Sequence, residues 1–188
     1  MPDAGQVREG QRDPQEEARR LAALAQVRQY PDPVLRMAAP EVEEFDEDLT
    51  RLVERMKALM VDAFGLGLAA PQVGILRRVF VFQADEDEVA AVVNPVIVER
   101  SDEAEPDEEG CLSIQGVRVP VERNVSVTVE ARDETGEAVR LELEGLPARV
   151  AQHEIDHLDG TLILDRTDEE SRRNAMGLLR RGPVLTEA

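Results

Sequence analysis

The strongest constraint on the fold comes from the only two histidines of the chain, His153 and His157, which stand four residues apart with Glu154 between them. Pro147 lies near the start of this segment and Gly160 just past its end, as expected for a helix of about three turns. Residues i and i+4 share one face of a helix, so both imidazoles can bind one divalent ion while the glutamate reaches its bound water. This pattern is typical of a metal-dependent hydrolase.

Two further helices are indicated on either side of the histidine segment. Apolar residues recur at helical spacing from Asp46 until Gly65 ends the pattern, which predicts a helix buried along one stripe. Thr167 and Glu170 form a capping box that predicts a final helix through about Arg180.

Short apolar and alternating runs predict strands between these helices. The runs at 79–82 and 92–98 are apolar, and Pro95 in the second indicates an edge or a bulge. Apolar residues alternate at 125–129 and 139–143 with a turn signal between them, which predicts a hairpin with one buried face. The order of elements predicts an α+β fold, with antiparallel sheets packed around the central helix that carries the histidines and with a C-terminal helix.

The chain of 188 residues is long enough for one domain with a substantial core. We divide it into an N-terminal extension over 1–26, either a short helix or a partly flexible segment, a catalytic domain over 27–182 and a C-terminal tail over 183–188. The extension is given no catalytic role. The acidic runs at 41–48 and 102–109 are interpreted as solvated loops.

Charge and composition exclude several classes of function. The formal net charge of −18 would repel phosphate backbones and anionic membrane surfaces, so neither DNA nor a membrane is an expected partner. No apolar run approaches the roughly 20 residues that span a bilayer, and residues 1–20 have no signal-peptide core. The single cysteine, Cys111, excludes an intrachain disulfide and fits a reducing compartment. We therefore expect a cytoplasmic protein.

Two histidines leave a hydrolytic metal site one protein ligand short, since such centres usually hold the ion with three. The protease pattern H-E-x-x-H-x-x-G-x-x-H is followed as far as Gly160, but Ile163 stands in place of the third histidine. Glu169 or Glu170 could supply the ligand, although acids in the first turn of a helix also complement its dipole. Cys111 is the strongest remaining donor because a metal deprotonates a coordinating thiol. The alternative for a lone cysteine is a small buried hydrophobe.

Three segments resemble, in order, the three signature motifs of the bacterial peptide deformylases. They are Gly65-Leu66-Gly67-Leu68-Ala69-Ala70-Pro71-Gln72, Glu109-Gly110-Cys111-Leu112-Ser113 and Gln152-His153-Glu154-Ile155-Asp156-His157. The resemblance extends from about Val27 to Arg181. It implies an enzyme that removes the formyl group from the initiator methionine of nascent polypeptides and releases formate.

The resemblance also implies a set of catalytic roles. The expected metal ligands are Cys111, His153 and His157. The ion in the family is usually Fe(II), although Zn, Ni or Co could occupy such a site and the residue types do not select among them. Glu154 would act as the general base towards a water whose pKa the ion lowers. The Gln72 side-chain amide and the N–H of Leu112 would stabilise the oxyanion.

The expected substrate is an N-formylmethionyl peptide or nascent chain. By resemblance to the family, an extended peptide would pair with the backbone near Leu66 and Gly67. The methionine side chain would need an apolar pocket, for which we name Leu66, Leu146 and Val150. The same three residues could equally be ordinary core.

Glu109 and Arg118 match positions where the family commonly has an ion pair that supports the cysteine loop, with an ordinary surface pair as the alternative. The family often has a proline where this chain has Gln115, which puts the shape of the following loop in question. The ribosome is a further candidate partner, through the C-terminal arginines. Complementation of a helix dipole is the simpler explanation of these residues, which are Arg172, Arg173, Arg180 and Arg181.

Two other functions remain open. Another HExxH metallopeptidase would cut internal amides, whereas a non-catalytic deformylase-like protein would only bind the metal. A purely structural metal site needs neither a base nor an oxyanion donor, so the presence of both Glu154 and Gln72 favours an enzyme.

Overall fold

The computed structural model describes residues 13–85 and 88–180. Within these ranges the α-helices are α1 (Pro14–Leu24), α2 (Glu47–Asp62), α3 (Leu146–Leu158), α4 (Ile163–Arg166) and α5 (Glu169–Arg180). The strands are β1 (Gly67–Ala69), β2 (Val79–Gln83), β3 (Val89–Arg100), β4 (Ala104–Glu109), β5 (Val119–Asn124), β6 (Ser126–Arg132) and β7 (Ala138–Glu144).

The strands form two antiparallel sheets. The larger has the order β1-β2-β3-β6-β7, and the smaller pairs β4 with β5. Successive side chains of a strand point to opposite faces, so β2 contributes to two cores. Val79 and Val81 pack with α2, whereas Phe80 and Phe82 pack with α3. This arrangement confirms the α+β class, with antiparallel sheets, a buried helix carrying the histidines and a helix at the C-terminal end.

The predicted strands are present, and the proline in the second lies at a bulge. β3 has hydrogen-bonded neighbours on both sides, so it is not an edge strand. Its register with β6 shifts between Val93 and Val96, which brackets Pro95. A proline cannot donate to the ladder and is tolerated inside a sheet where the pairing is interrupted. The predicted hairpin forms as β6 and β7.

The interpretation of 102–109 as a solvated loop is wrong, because most of this run forms strand β4. Only its last residue, Glu109, is buried, and the rest of the strand is exposed or half-buried. The apolar side chains of this small sheet come from β5, where Val119 and Val121 are buried. An acidic segment can therefore lie in a sheet because its partner strand supplies the contact with the core.

Helix caps explain where α2 and α5 begin. Asp46 accepts a hydrogen bond from the N–H of Leu49 at 2.9 Å, so the acidic run at 41–48 is a loop only up to this residue. The predicted capping box of Thr167 and Glu170 is wrong. Asp168 caps α5 instead, because its side chain accepts a hydrogen bond from the N–H of Ser171 at 2.9 Å. Thr167 is not available as the cap, since it already ends the short helix α4.

Helix α1 packs onto the body of the protein through Ala23 and Leu24, which share a core with α2. The first part of the predicted extension, residues 1–12, and the predicted tail at 183–188 lie outside the described residues. Among the helices of the described ranges, none is both long and apolar enough to cross a membrane.

Candidate metal centre

Helix α3 presents His153 and His157 on one face, and the loop after β4 brings Cys111 beside them. The two histidine Nε2 atoms lie 3.2 Å apart, and Cys111 Sγ lies 3.3 Å from His157 Nε2. All three ligand atoms fall within 4.8 Å of one another. A tetrahedral ion at ordinary metal–nitrogen and metal–sulfur distances requires ligand atoms roughly 3.3 to 3.6 Å apart. The three donors therefore fit one divalent ion.

The glutamates considered as third ligands lie elsewhere. Glu169 and Glu170 are exposed in the first turn of α5, and Glu169 pairs with Arg173 at 2.7 Å. Cys111 is half-buried and is the donor that joins the two histidines.

Glu109 orients the imidazole of His153. Its Oε2 lies 3.0 Å from His153 Nδ1, and this bond leaves the Nε2 lone pair directed at the ligand cluster. The same carboxylate accepts from Arg123 at 2.9 and 3.0 Å and from Arg149 at 2.9 Å. Desolvation opposes its ionisation, but hydrogen bonds from His153 and Arg123 outweigh it and lower the pKa of Glu109 to about 2. Glu109 is therefore a charged support beneath the ligands.

The predicted ion pair of Glu109 with Arg118 is wrong in its basic partner. Arg118 donates to the main-chain carbonyl of Glu108 at 3.0 Å, and the ion pair with the Glu109 carboxylate is made by Arg123. Arg118 precedes β5, whereas Arg123 continues the inward alternation of the two buried valines of that strand. This period-two pattern is a sequence signal that could have identified Arg123.

Arg123 also connects the support to α3 and α4. Its Nη1 donates to Asp156 Oδ2 at 2.6 Å, and Asp156 Oδ1 accepts from Arg166 at 2.6 Å. Asp156 directly precedes the candidate ligand His157, so the network fixes the end of α3 that carries the cluster. Sequence reasoning missed Asp156 and Arg166 because no local spacing relates these residues.

Glu154 extends from α3 towards β1 and is 3% exposed. A Cβ at Gly67 would lie 2.3 Å from its Oε1, so β1 can pass this close only with glycine there. Burial raises the pKa of Glu154 to about 7, although charge on His153 opposes the shift. Its Oε2 is buried without a hydrogen-bond partner among the described residues. Such a carboxylate is suited to accept a proton near neutral pH.

Gln72 lies in the turn Ala70–Val73 that follows β1 and is 1% exposed. Its Oε1 accepts a hydrogen bond from the N–H of Ala69 at 2.8 Å, which fixes the orientation of the amide. Nε2 consequently faces the cluster and donates to Ser113 Oγ at 3.2 Å and to Cys111 Sγ at 3.7 Å. The side chain thus presents an N–H donor beside the ligands.

A segment that precedes the three motifs connects two of them. The N–H of Arg28 donates to the carbonyl of Gln72 at 2.7 Å, and Gln29 Nε2 donates to the carbonyl of Leu112 at 2.9 Å. The positions of Gln72 and of the cysteine loop are therefore coupled through two consecutive residues. Sequence reasoning missed Gln29, because a single glutamine in a loop carries no recognisable pattern.

A cavity of about 530 Å³ opens in front of the ligands. It is lined by every residue named for substrate binding, namely Leu66, Gly67, Leu146 and Val150. Leu66 is 38% exposed and Leu146 is 43% exposed, so neither is ordinary core, whereas Val150 is buried. Leu112 and Gln72 line the same cavity, which brings the candidate oxyanion donors to it.

The chain matches the sequence model described as polypeptide deformylase over residues 24–173. It is 47% identical over 150 residues to the peptide deformylase of Natranaerobius thermophilus, which covers 80% of this chain and 96% of that protein. It is 51% identical over 149 residues to the peptide deformylase of Thermotoga neapolitana, with 79% and 90% covered.

The chain is also similar to solved structures of peptide deformylases. The chain resembles the peptide deformylase of Synechococcus elongatus in complex with actinonin, with a TM-score of 0.79, 37% identity, and 82% of this chain and 86% of that chain covered. It also resembles the peptide deformylase of Thermotoga maritima, with a TM-score of 0.73, 48% identity, and 76% and 96% covered.

Proposed function

The chain belongs to the polypeptide deformylase family, and from this premise we propose that residues 27–182 form its catalytic domain and that the cavity in front of Cys111 is the active site. The enzyme hydrolyses the N-formyl group from the methionine that begins nascent polypeptides and releases formate. One observation carries the assignment of the site: three metal-binding side chains, a buried carboxylate and an oriented amide converge on one cavity.

The family is metal-dependent, and the Cys/His/His donor set suits one divalent cation. The proposed ligands are Cys111, His153 and His157. We propose Fe(II) as the native ion from the family resemblance, with Zn, Ni or Co as ions that the same donors accept. When bound, the cation supplies Lewis-acid chemistry, because it polarises the formyl carbonyl and lowers the pKa of a water.

Glu154 moves the proton in this proposal. Its Oε2 has no partner among the described residues and Glu154 lines the cavity, so this carboxylate can accept the proton of the attacking water. Its pKa, raised to about 7 by burial, lets the same group hold that proton and then pass it to the leaving amine. A single carboxylate thus serves as base and then as acid.

The Gln72 amide and the N–H of Leu112 stabilise the oxyanion that develops on the formyl oxygen. Such donors act only if they are oriented before the reaction. The N–H of Ala69 orients the Gln72 amide, and Gln29 holds the peptide unit that follows Leu112. Glu109 supports this loop indirectly, through His153 and Arg123.

The substrate peptide binds along the open edge of β1. The carbonyl of Leu66 accepts from the N–H of Gln83 at 3.0 Å, so it faces β2. Antiparallel pairing alternates, and the main-chain groups of Gly67 therefore point to the open edge, where an extended peptide can pair with them. The methionine side chain then enters the pocket formed by Leu66, Leu146 and Val150.

We propose the cytoplasm as the site of action, with N-formylmethionyl chains as substrates. A direct contact with the ribosome is a weaker proposal. Among its candidate arginines, Arg173 already pairs with Glu169 on the same helix, which supports a role within α5.

The test is a formate-release assay with formyl-Met peptides and their unformylated counterparts, paired with metal analysis of anaerobically purified protein. We expect one iron per chain, formate release from the formylated peptides and no cleavage of the unformylated ones. Cleavage of internal amides would favour another HExxH metallopeptidase. Metal binding without turnover would favour a non-catalytic metal-binding protein.

A variant separates the metal from the base. Glu154→Ala is expected to keep the metal and lose at least about a hundredfold in kcat, since general bases typically contribute this much. Near-normal turnover of a metal-loaded Glu154→Ala protein would show that another group takes the proton.

A further inference from the structure

Helix α1 forms part of the wall of the substrate cavity. Arg20 and Leu24 line it together with the metal centre, although they belong to the N-terminal extension. Leu24 is buried against α2, while the side chain of Arg20 keeps 28% of its surface exposed. The match to the deformylase family begins at residue 24, so Arg20 lies in a part of this chain that the family match does not include.

The path of the substrate leads towards Arg20. A peptide whose first residue lies opposite Gly67 would, in antiparallel pairing, place its second residue opposite Leu66 and its third opposite Gly65. Gly65 lies against Leu112, just past the end of α2, and both line the cavity. Leu24 packs in the same core as that end of α2, and Arg20 lies one helical turn before Leu24 on the same face.

The guanidinium of Arg20 is available for a new partner. It pairs with Glu17 at 3.2 Å, and both side chains are about a third exposed. A pair of this kind, three residues apart on a helix surface, contributes little and is easily exchanged. Other charged residues also line the cavity. Asp107 and Glu108 would repel a carboxylate on the substrate, whereas Arg118 and Arg149 already donate to main-chain carbonyls of β4.

We propose that Arg20 is a specificity-determining residue that binds an acidic side chain at the third position of the formylated peptide. This inference rests on the proposed deformylase function. It assigns to the N-terminal extension a part in substrate selection, while the chemistry at the formyl group stays with the residues described above. A protein with a net charge of −18 would otherwise repel such peptides, so Arg20 supplies a local attraction.

The experiment measures kcat/KM for three formyl-Met-Ala-Xaa peptides with amidated C-termini, where Xaa is Glu, Ser or Lys. At low salt, the wild-type enzyme is expected to prefer Glu over Lys about fivefold, the range of a partly exposed ion pair. Arg20→Ala should remove the preference and Arg20→Glu should reverse it. Raising the ionic strength should weaken the preference of the wild type.

Two variants of the same helix serve as controls. Arg19→Ala removes an exposed arginine beside the cavity residue and should keep the preference. Glu17→Gln removes the ion pair while retaining the guanidinium, and it should keep or increase the preference. If Glu17→Gln abolishes it as Arg20→Ala does, the effect comes from the helix and the inference is overturned.

The remaining outcomes are distinct. The role of Arg20 is overturned if all three peptides release formate with no charge preference, or if the preference survives in Arg20→Glu. Either result leaves the deformylase function intact. An absence of formate release from every peptide overturns the proposed function and this inference with it.

Discussion

Replacing Glu109 by glutamine would remove the negative charge at the centre of a buried network. The carboxylate is 6% exposed and bonds to Arg123, Arg149 and His153 at 2.9 to 3.0 Å. Glutamine has one acceptor oxygen, and its amide nitrogen would face cationic N–H donors. Arg123, which is also 6% exposed, would keep Asp156 as its remaining carboxylate partner.

Two estimates of the stability lost in Glu109→Gln agree. Removing one partner of a buried ion pair typically destabilises a protein by about 3 to 5 kcal/mol. The pKa of Glu109 falls from 4.5 to about 2 in the folded protein, and at 1.36 kcal/mol per unit this shift corresponds to roughly 3 kcal/mol. We therefore expect Glu109→Gln to lower the free energy of unfolding by about 3 kcal/mol at pH 7.

The effect should depend on pH in a defined direction. The folded-state pKa of Glu109 is lowered, so its ionised form stabilises the protein fully above the unfolded value of 4.5. This stabilisation is lost as the pH falls towards about 2. The difference in stability between the wild type and Glu109→Gln should therefore be constant near neutral pH and shrink below pH 4.5.

Urea unfolding at several pH values, together with metal titration, tests this reasoning. Loss of the carboxylate that orients His153 should also weaken metal affinity by about 10- to 100-fold. Glu122→Gln is the matched control, since Glu122 is exposed on β5 next to Arg123 and its loss should change neither quantity appreciably. A destabilisation below about 1 kcal/mol with unchanged metal affinity would refute the role of Glu109 as a charged support.

Three further outcomes are expected of the active site. Gly67→Ala should lower kcat by about a hundredfold, because a Cβ there would lie 2.3 Å from Glu154 Oε1 and would displace the carboxylate. Gly177→Ala is the control, since a Cβ there would meet no atom from another part of the fold within 4 Å. Equal activities of the two variants would contradict the close approach at Gly67. Gln29→Ala should lower kcat by about tenfold with unchanged KM and metal content. The substitution removes the hydrogen bond to the carbonyl of Leu112, and the N–H of the same residue is the proposed oxyanion donor. A change in KM alone would contradict this role of Gln29. The kcat/KM should rise with pH through a pKa at or below about 7, because Glu154 must be deprotonated to act as the base. Burial raises the pKa of Glu154 to about 7, and a bound cation lowers it again. A rise of kcat/KM centred clearly above pH 7 would argue against Glu154 as the base.

Elements with regular periodicity could be predicted from the sequence, and elements without it could not. Helix α2 repeats apolar residues at helical spacing over its whole length, and apolar residues alternate with polar ones in β6 and β7. The sequence of each element therefore predicts which of its faces is buried. Strand β4 has one buried side chain among six residues, Glu109, and therefore lacks both hydrophobicity and alternation. Its place in a sheet depends on pairing with β5, which is a long-range contact that leaves no trace in its own composition.

The same distinction holds within the site. His153 and His157 are four residues apart on one helix, so their mutual geometry follows from helix periodicity. Cys111 reaches them because β4 ends beside α3, and Glu109 joins that strand end to His153 and to Arg123 of β5. Arg123 was detectable, since it continues the inward alternation of the valines in β5. A buried guanidinium requires a carboxylate partner. The adjacent Glu122 lies on the exposed face of β5, so the acids that precede the cysteine are the candidates to supply it. A cation at an inward position of β5 thus predicts a buried carboxylate partner before the cysteine, which Glu109 provides, although the strand that carries Glu109 has no pattern of its own.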